Sequence, residues 1–190
     1  MALQPWRKGK VIRIDDYTHN TKRFWIEVQG TENFDFVPGQ FVTFDLPIHE
    51  KANKRLRSYS IASWPDGSNI FELLIVHAQG GLGTTYLFNE ISVGSELTFR
   101  GALGVFTLPQ KIDSDIFLIC TGTGIAPFRS MVHYIHLHNI SFKNIYLIFG
   151  CRKKEDLLYY DELKELEQKL PGFHYQPTLS REHWEGHTGY

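Results

Sequence analysis

The sequence predicts two domains, an N-terminal antiparallel β-barrel followed by an α/β domain built on a parallel sheet. Two observations predict this fold class. Up to about Pro109 short apolar strands alternate with turn signals, whereas after Ser114 the order becomes strand, helix, strand, helix, strand. The chain has 190 residues, 42% of them hydrophobic, which is enough for one large or two small cores. We assign residues 1–110 to the barrel and residues 111–190 to the α/β domain.

Alternating apolar and polar positions predict six strands in the first domain. Turn pairs such as Pro38-Gly39 and Val93-Gly94 separate them. Short strands at this spacing are typical of an antiparallel barrel. The aromatic side chains at positions 24, 25, 34, 36, 41 and 44 are expected to fill its core. The predicted strands cover residues 11–14, 24–28, 41–44, 56–62, 71–76 and 97–99.

Strands and helices alternate in the second domain. Residues 116–121 form a continuous apolar run, as in a strand of a parallel sheet that is covered on both faces. Pro127 suits the first turn of the helix that follows, where a missing amide costs nothing. The second helix ends at Pro171-Gly172. The predicted strands are residues 116–121, 144–150 and 174–179, and the predicted helices are residues 127–139 and 159–170.

Charge and composition exclude several classes of protein. The formal net charge of −1 offers no field that would attract nucleic acid or an anionic membrane. No apolar stretch reaches membrane-spanning length, and the N-terminal residues lack the apolar core of a signal peptide. The two cysteines, Cys120 and Cys151, are too few for a four-cysteine iron–sulfur cluster. We therefore expect a cytoplasmic monomer with free thiols, without nucleic-acid partners and without a membrane span.

One segment of the first domain, residues 57–63, carries a cation, an aromatic ring and three serine hydroxyls within seven residues. In a strand, Arg57 and Tyr59 share one face, and a core strand does not need that pair. A bound planar ring with a phosphate tail does need it: a guanidinium binds phosphate, a phenol stacks and a hydroxyl binds a ring heteroatom. The alternative is an edge strand with a solvated arginine and a half-buried tyrosine.

Two glycine-rich turns point to the same kind of ligand. The first, within residues 77–87, follows an apolar strand and brings three glycines to a point where we expect a helix to begin at Thr84 or Thr85. The second, Gly122-Thr123-Gly124, lies between a predicted strand and a predicted helix, the usual site for dinucleotide phosphates. Ordinary turns without a ligand are the alternative for each.

Taken in order, these segments resemble the ferredoxin–NADP reductase family. Residues 57–60 match its flavin motif of arginine, any residue, tyrosine and serine, and Ser63 fits the extended form associated with FAD. Residues 80–84 are similar to its pyrophosphate loop, and residues 122–127 to its pyridine-nucleotide loop. Residues 101–106 resemble the segment that closes the flavin domain, with Ala102 where proline is common. The resemblance runs from about Lys10 to Tyr190, nearly the whole chain.

The resemblance implies that FAD lies between the two domains and that NADPH lies on the second. Tyr59 would stack on the flavin and Ser60 would hydrogen-bond near its reactive nitrogen, which makes these two the implied catalytic residues. No metal is expected. The residues implied to bind FAD are Arg57, Ser58, Tyr59, Ser60, Ser63, Val76, His77, Gly81, Leu82, Gly83, Thr84 and Thr85. Those implied to bind NADP are Thr121, Gly122, Thr123, Gly124, Pro127, Arg152, Ser180, Arg181 and Tyr190.

The preference for NADP over NAD depends on residues near the C-terminus. Arg152, Ser180 and Arg181 would bind the 2′-phosphate, since arginine forks suit phosphate, and Tyr190 would stack on the adenine. Thr188 stands about where some family members have a lysine. Solvated polar residues at strand ends are the alternative. A complete family member would continue past Tyr190 with another strand and helix, so the resemblance implies a truncated nucleotide domain.

Two other clusters are more simply explained as structure. His133 and His136 do not share a helix face with His138 in a way that forms a metal site, and no carboxylate joins them at ligand spacing. We expect a solvated helix face there. Lys51, Lys54 and Arg55 are expected in a solvated loop. The functional alternative for that loop is contact with the adenosine end of FAD or with an acidic electron carrier.

The function implied by the resemblance is that of a reductase that passes a hydride from NADPH to FAD and then single electrons to a ferredoxin or a flavodoxin. Within that class, the acceptor could instead be free flavin, a ferric chelate or an oxygenase component. A rival from a different class is a non-catalytic subunit that holds FAD as an electron relay. Fold-level analogy does not decide the acceptor.

Overall fold

A computed structural model, which describes residues 4–185, places six antiparallel strands in the first domain. Their order across the sheet is β4-β3-β6-β1-β2-β5. Buried and partly exposed positions alternate along most of β2 and β6, because successive side chains of a strand point to opposite faces. The strands are β1 (Arg7–Thr18), β2 (Thr21–Val28), β3 (Phe41–Asp45), β4 (Leu56–Ser60), β5 (Ile70–Val76) and β6 (Glu96–Leu103), and the helix α1 (Leu82–Asn89) lies between β5 and β6.

The two ends of this sheet meet, which closes the barrel. Just beyond β4, Ile61 forms an antiparallel bridge with Leu73 of β5, and the amide of Ala62 donates to the carbonyl of Glu72 (2.8 Å). The hydroxyl of Ser63 accepts a hydrogen bond from the amide of Glu72 (2.9 Å). At this seam neither end strand is left as an open edge. The predicted barrel is therefore confirmed.

Phenylalanine rings fill the barrel. Phe34, Phe71 and Phe99 are buried, and the ring of Phe99 meets the other two edge-on with centroids 5.8 and 5.3 Å away. Trp25 lies outside this core, because the alternation along β2 points it outward, where two arginine guanidinium groups lie 4.4 and 4.5 Å from its ring. The prediction that Trp25 packs inside the barrel is therefore wrong, and it is wrong in the same way for Phe41, which alternates with the buried Val42 and Phe44 of β3 and lies outside the core.

Three parallel strands and two helices form the second domain. The strands lie in the order β7-β8-β9, and both helices pack on one face of them. On that face Leu118, Leu147 and Tyr175 are buried in one cluster with Val132 and Leu163 of the helices. The elements are β7 (Ile116–Thr121), α2 (Ala126–Leu137), β8 (Ile145–Cys151), α3 (Tyr160–Lys169) and β9 (Phe173–Leu179).

No residue from 4 to 185 covers the opposite face of this sheet. Phe117 and Ile119 of β7 are 60% and 67% exposed. The ring of Phe117 stacks on Tyr146, which in turn stacks on His174, with centroids 4.9 and 4.8 Å apart. The expectation that both faces of β7 are covered is wrong for this part of the chain, because α2 and α3 lie on the same side.

The helices of the second domain are short. The longest described helix, α2, has 12 residues, and in the described part of the chain no helix has the length and apolarity that a membrane span requires. The predicted limits of α2 and α3 differ from the observed ones by at most two residues at either end.

Candidate functional site

The side chain of Arg57 lies against the first turn of α1. A Cβ atom on Gly83 would come within 2.8 Å of Arg57 Cγ and 3.0 Å of Nε, so glycine makes this approach possible. Arg57 Nη1 donates to the carbonyls of Lys54 (3.0 Å) and Leu56 (2.7 Å). A guanidinium carries five N–H donors, and these two contacts use Nη1 alone. The structure therefore brings the predicted cation to the predicted glycine turn.

The turn before α1 is shaped by glycines and tied by a threonine. Gly80 has a φ of 72°, and Gly81 is the N-cap residue, with no side-chain hydrogen bond capping the helix. The Thr84 hydroxyl accepts from the amide of Ala78 (3.1 Å) and donates to the carbonyl of Gly81 (3.1 Å). The helix begins at Leu82, so the predicted start at Thr84 or Thr85 is wrong by two residues or more. Without a capping side chain, the amides of this first turn can bind an anion.

The remaining hydroxyls of the motif lie in different surroundings. Tyr59 is half-buried beside a core phenylalanine, and burial raises the pKa of its phenol. Ser58 shares a hydrogen bond with the hydroxyl of Thr43 (2.9 Å). Ser60 is half-buried at the end of β4. Ser63 lies at the barrel seam, where its hydroxyl is engaged by a backbone amide.

Val76 and His77 lead from β5 into the glycine turn. The Nε2 atom of His77 lies 3.5 Å from the Thr85 hydroxyl, and its ring packs against Phe88 with centroids 5.1 Å apart. Leu82, the first residue of α1, is exposed. These contacts hold His77 and Thr85 at the flank of the turn.

The second predicted phosphate site is a single 3-10 turn, Gly122–Ile125, between β7 and α2. Gly122 has a φ of 51°, which favours glycine, and Pro127 occupies the first turn of α2. Thr121 pairs with Gly150 of β8, where a Cβ would meet the threonine methyl at 3.1 Å. This strand, turn and helix at the carboxyl end of a parallel sheet have the geometry that binds dinucleotide phosphates.

Arg152, Ser180 and Arg181 come together at the carboxyl ends of β8 and β9. The amide of Ser180 donates to the carbonyl of Cys151 (3.0 Å), and that of Arg181 donates to the carbonyl of Arg152 (2.9 Å). The side chains of these three residues lie on the exposed surface, beside a depression of about 510 Å³. Tyr190, which the resemblance assigned to adenine, lies outside the described residues. The depression is lined by Lys153, Lys154, Glu155, Arg181 and Glu182.

Sequence reasoning missed a cluster of buried charged residues between the domains. Glu72 of β5 is 3% exposed and Arg129 of α2 is 4% exposed, with Arg129 Nη1 2.9 Å from Glu72 Oε2. His133 Nε2 lies 2.6 Å from Oε1 of Glu162 on α3, and the His133 side chain is only 14% exposed, so the prediction of a solvated face is wrong for His133. A lone glutamate in an apolar strand and a lone arginine on an apolar helix face are the signals that pointed to this cluster.

Comparison with known proteins agrees with this geometry. Residues 8–108 match the family of oxidoreductase FAD-binding domains, and residues 118–190 match the family of oxidoreductase NAD-binding domains. The chain is 37% identical over 185 residues to ferredoxin–NADP reductase B of Sorangium cellulosum, covering 96% of this chain and 74% of that protein. The chain belongs to the ferredoxin–NADP reductase-like family of flavoproteins. It is an oxidoreductase with an FAD-binding domain and a pyridine-nucleotide-binding domain.

Other members of this family work in oxygenase systems. The chain is 30% identical over 172 residues to the 2-halobenzoate 1,2-dioxygenase electron transfer component of Burkholderia cepacia, covering 90% of this chain and 49% of that protein. The chain thus spans about three quarters of the Sorangium reductase and about half of the Burkholderia component.

Solved structures confirm the two-domain fold. The cytochrome P450 reductase GcoB of Amycolatopsis has a TM-score of 0.83 and 27% identity, covering 100% of this chain and 56% of that one. A ferredoxin NADP+ reductase from Neisseria gonorrhoeae, with bound FAD and NADP, has a TM-score of 0.79 and 25% identity, covering 97% of this chain and 72% of that one. Because these alignments cover 100% and 97% of this chain, both of its domains are included in the similarity.

Proposed function

We propose that this chain provides the FAD site and the NADPH site of a reductase that passes electrons to a ferredoxin- or flavodoxin-like protein. The observation that carries the proposal is the contact of Arg57 with Gly83, which sets a guanidinium beside the N-terminal turn of α1. Arginine and helix amides together favour a pyrophosphate. The acceptor is supported by relatives named as a ferredoxin–NADP reductase and as the electron transfer component of a dioxygenase.

In this proposal the chain's own residues bind and orient the two nucleotides. Arg57 and the first turn of α1 bind the FAD pyrophosphate, and neutral Tyr59 packs on the flavin ring with the Ser60 hydroxyl beside it. The loop Gly122–Ile125 binds the pyrophosphate of the coenzyme. FAD, when bound, supplies the redox chemistry that accepts a hydride and releases single electrons.

The proposed preference for NADPH rests on the arginines at the ends of β8 and β9. Arg152 and Arg181 are joined by a backbone hydrogen bond at the ends of β8 and β9, and the side chains of both, like that of Ser180, are exposed there. Guanidinium forks match the geometry of a phosphate monoester, which NADPH carries and NADH lacks. The name of the Sorangium relative supports the same coenzyme.

An anaerobic titration tests the proposed function directly. The full chain is loaded with FAD and titrated with NADPH and, separately, with NADH, while the visible flavin absorbance is recorded. We expect NADPH to bleach the flavin band at lower concentration than NADH. A flavin-loaded protein that neither coenzyme bleaches would favour the relay subunit instead. A chain that binds no FAD would contradict the assignment of residues 57–60.

The coenzyme preference makes a separate prediction. Replacing Arg152 and Arg181 together by alanine should raise the KM for NADPH about tenfold or more and leave the KM for NADH within about twofold, since a charge-assisted hydrogen bond is worth roughly 1.5–3 kcal/mol. Lys143→Ala is the matched control, because Lys143 pairs with Asp115 (3.3 Å) at the opposite end of the same sheet. Equal effects on both coenzymes would remove the 2′-phosphate assignment.

A further inference from the structure

Arg129 is a buried cation that joins the two domains. It lies in the first turn of α2 and is 4% exposed. Its Nη1 atom donates to the carbonyl of Ala62 (2.9 Å) and to Oε2 of Glu72 (2.9 Å), both in the first domain. Its Nε and Nη2 atoms donate to the two carboxylate oxygens of Glu162 in the second domain, at 2.6 and 3.0 Å. One guanidinium therefore spans the contact between the domains.

Glu72 is the acceptor on the first-domain side. Besides Arg129, its carboxylate accepts from Arg23 Nε (2.7 Å) and from the hydroxyl of Tyr159 (2.7 Å). Two cations and a phenol compensate for the burial of this carboxylate, and removing one partner would leave charge buried without compensation. The groups are therefore held in a single arrangement.

Aromatic rings enclose the cluster from both domains. The ring centroid of Tyr159 lies 4.2 Å from Arg129 Cζ, and the amide of Tyr159 donates to the hydroxyl of Tyr17 (2.7 Å) in the first domain. His133, one turn further along α2, stacks on Trp64 of the first domain, with centroids 4.1 Å apart and an angle of 15° between the planes. These contacts restrict sliding of one domain on the other.

The cluster connects the two proposed nucleotide sites through short stretches of backbone. Ala62 follows Ser60, the last residue of the flavin motif, by two positions. Arg129 follows the loop Gly122–Ile125 by four positions, within the helix that the loop begins. The hydrogen bond from Arg129 to the carbonyl of Ala62 therefore ties the segment of one site to the segment of the other.

We propose that Arg129 is a positioning residue: it fixes the Gly122–Ile125 loop relative to β4 and so sets the distance at which the coenzyme meets the flavin. This proposal rests on the proposed function. A misplacement of about 1 Å by a residue remote from the chemistry can lower a rate about 100-fold. Arg129 acts on the geometry of both sites together, so its loss lowers the rate of reduction far more than the affinity for either nucleotide.

The test compares Arg129→Lys and Arg129→Met with Arg23→Met by anaerobic rapid mixing of the FAD-loaded full chain with NADPH. Arg23 is the matched control, because it also binds the Glu72 carboxylate but belongs to the same domain as Glu72. For the Arg129 variants we expect the limiting rate of flavin bleaching to fall about 10- to 100-fold, with the apparent Kd for NADPH within about threefold, and a smaller loss for lysine. The proposal would be overturned if the Arg129 variants kept the wild-type limiting rate or lost only affinity for NADPH. It would also be overturned if Arg23→Met lost as much rate as they do.

A calorimetric scan separates failure of this proposal from failure of the proposed function. The wild-type chain should unfold in one cooperative transition, and Arg129→Met in two, because the domains lose their buried link. A single transition in Arg129→Met would overturn the proposal about Arg129. Failure of NADPH to bleach the wild-type flavin would, by itself, contradict only the proposed function. If Arg129→Met does not fold, Arg129→Lys, which keeps the buried charge but has no guanidinium fork to reach both carboxylates, carries both measurements.

Discussion

Arg57 is the side chain on which the proposed FAD site most depends. Arg57→Ala should weaken FAD binding about 10- to 100-fold, because a charge-assisted contact to pyrophosphate is worth roughly 1.5–3 kcal/mol. The flavin-to-protein ratio after gel filtration, followed by titration of the stripped protein with FAD, measures the loss. Arg55→Ala is the control, since Arg55 lies two positions away and its Nε pairs with Oδ1 of Asp45 at 2.7 Å. Stoichiometric flavin in Arg57→Ala would refute the assignment.

Residue roles were predictable where they depend on neighbours in the chain and not where they depend on distant partners. Arg57 and the glycine turn each stand out locally, and only their contact needed the fold. Arg129, in contrast, finds its two carboxylates 57 and 33 positions away, so its own segment shows a lone cation on an apolar helix face but not the partners of that cation. His133 was predicted to be solvated for the same reason, because its partner Glu162 lies 29 positions further along.

At the scale of elements, the close contact between Arg57 and the first turn of α1 predicts that Gly83→Ala weakens FAD binding. Gly83→Ala places a Cβ 2.8 Å from Arg57 Cγ, so the arginine must move away from the helix N-terminus. Gly83 is buried and the Cβ would meet the arginine near its backbone, so the steric cost offsets the better helix propensity of alanine, about 1 kcal/mol, and the flavin-free protein should gain no stability. We expect FAD affinity to fall about tenfold.

Two measurements check the prediction for Gly83→Ala. Chemical unfolding of the flavin-free protein reports stability, and FAD titration reports affinity. Asn89→Ala at the exposed C-terminal end of α1 improves the same helix without approaching Arg57, so it should raise stability and leave FAD affinity unchanged. A fall in FAD affinity for Asn89→Ala, or none for Gly83→Ala, would show that the close contact with Arg57 is not what matters.

Element types were predictable from periodicity, and their limits less so. β1 extends over Arg7–Thr18, well beyond the predicted residues 11–14. It pairs with β6 at its start and with β2 through Asp15 and Asp16 towards its end, and these polar residues carry no apolar signal. β7 was expected to be covered on both faces because its side chains are apolar throughout. Coverage depends on which side the helices pack, and a run of apolar letters does not contain that information.

At the scale of the whole molecule, the contact between the domains should show in the pH dependence of stability. Burial acts to raise the pKa of Glu162, but hydrogen bonds from His133 and Arg129 outweigh it and lower the pKa from 4.5 to about 2. The stabilisation from this carboxylate is therefore complete above the unfolded value of 4.5 and is lost as the pH falls towards about 2. Within that window the unfolded chain binds up to one more proton at this site than the folded chain does.

Glu162→Gln should therefore lower the free energy of unfolding at pH 7 by about 1–3 kcal/mol and flatten its decline in acid. The wild-type slope should exceed that of the variant by up to about 1.4 kcal/mol per pH unit between pH about 4.5 and about 2.5, measured by urea unfolding at fixed ionic strength. Glu165→Gln, an exposed carboxylate of the same helix whose pKa is lowered by Lys169, should change the slope much less, because solvent screens that pair. Parallel pH profiles for wild type and Glu162→Gln would mean that His133 and Arg129 do not hold this carboxylate ionised in the folded chain.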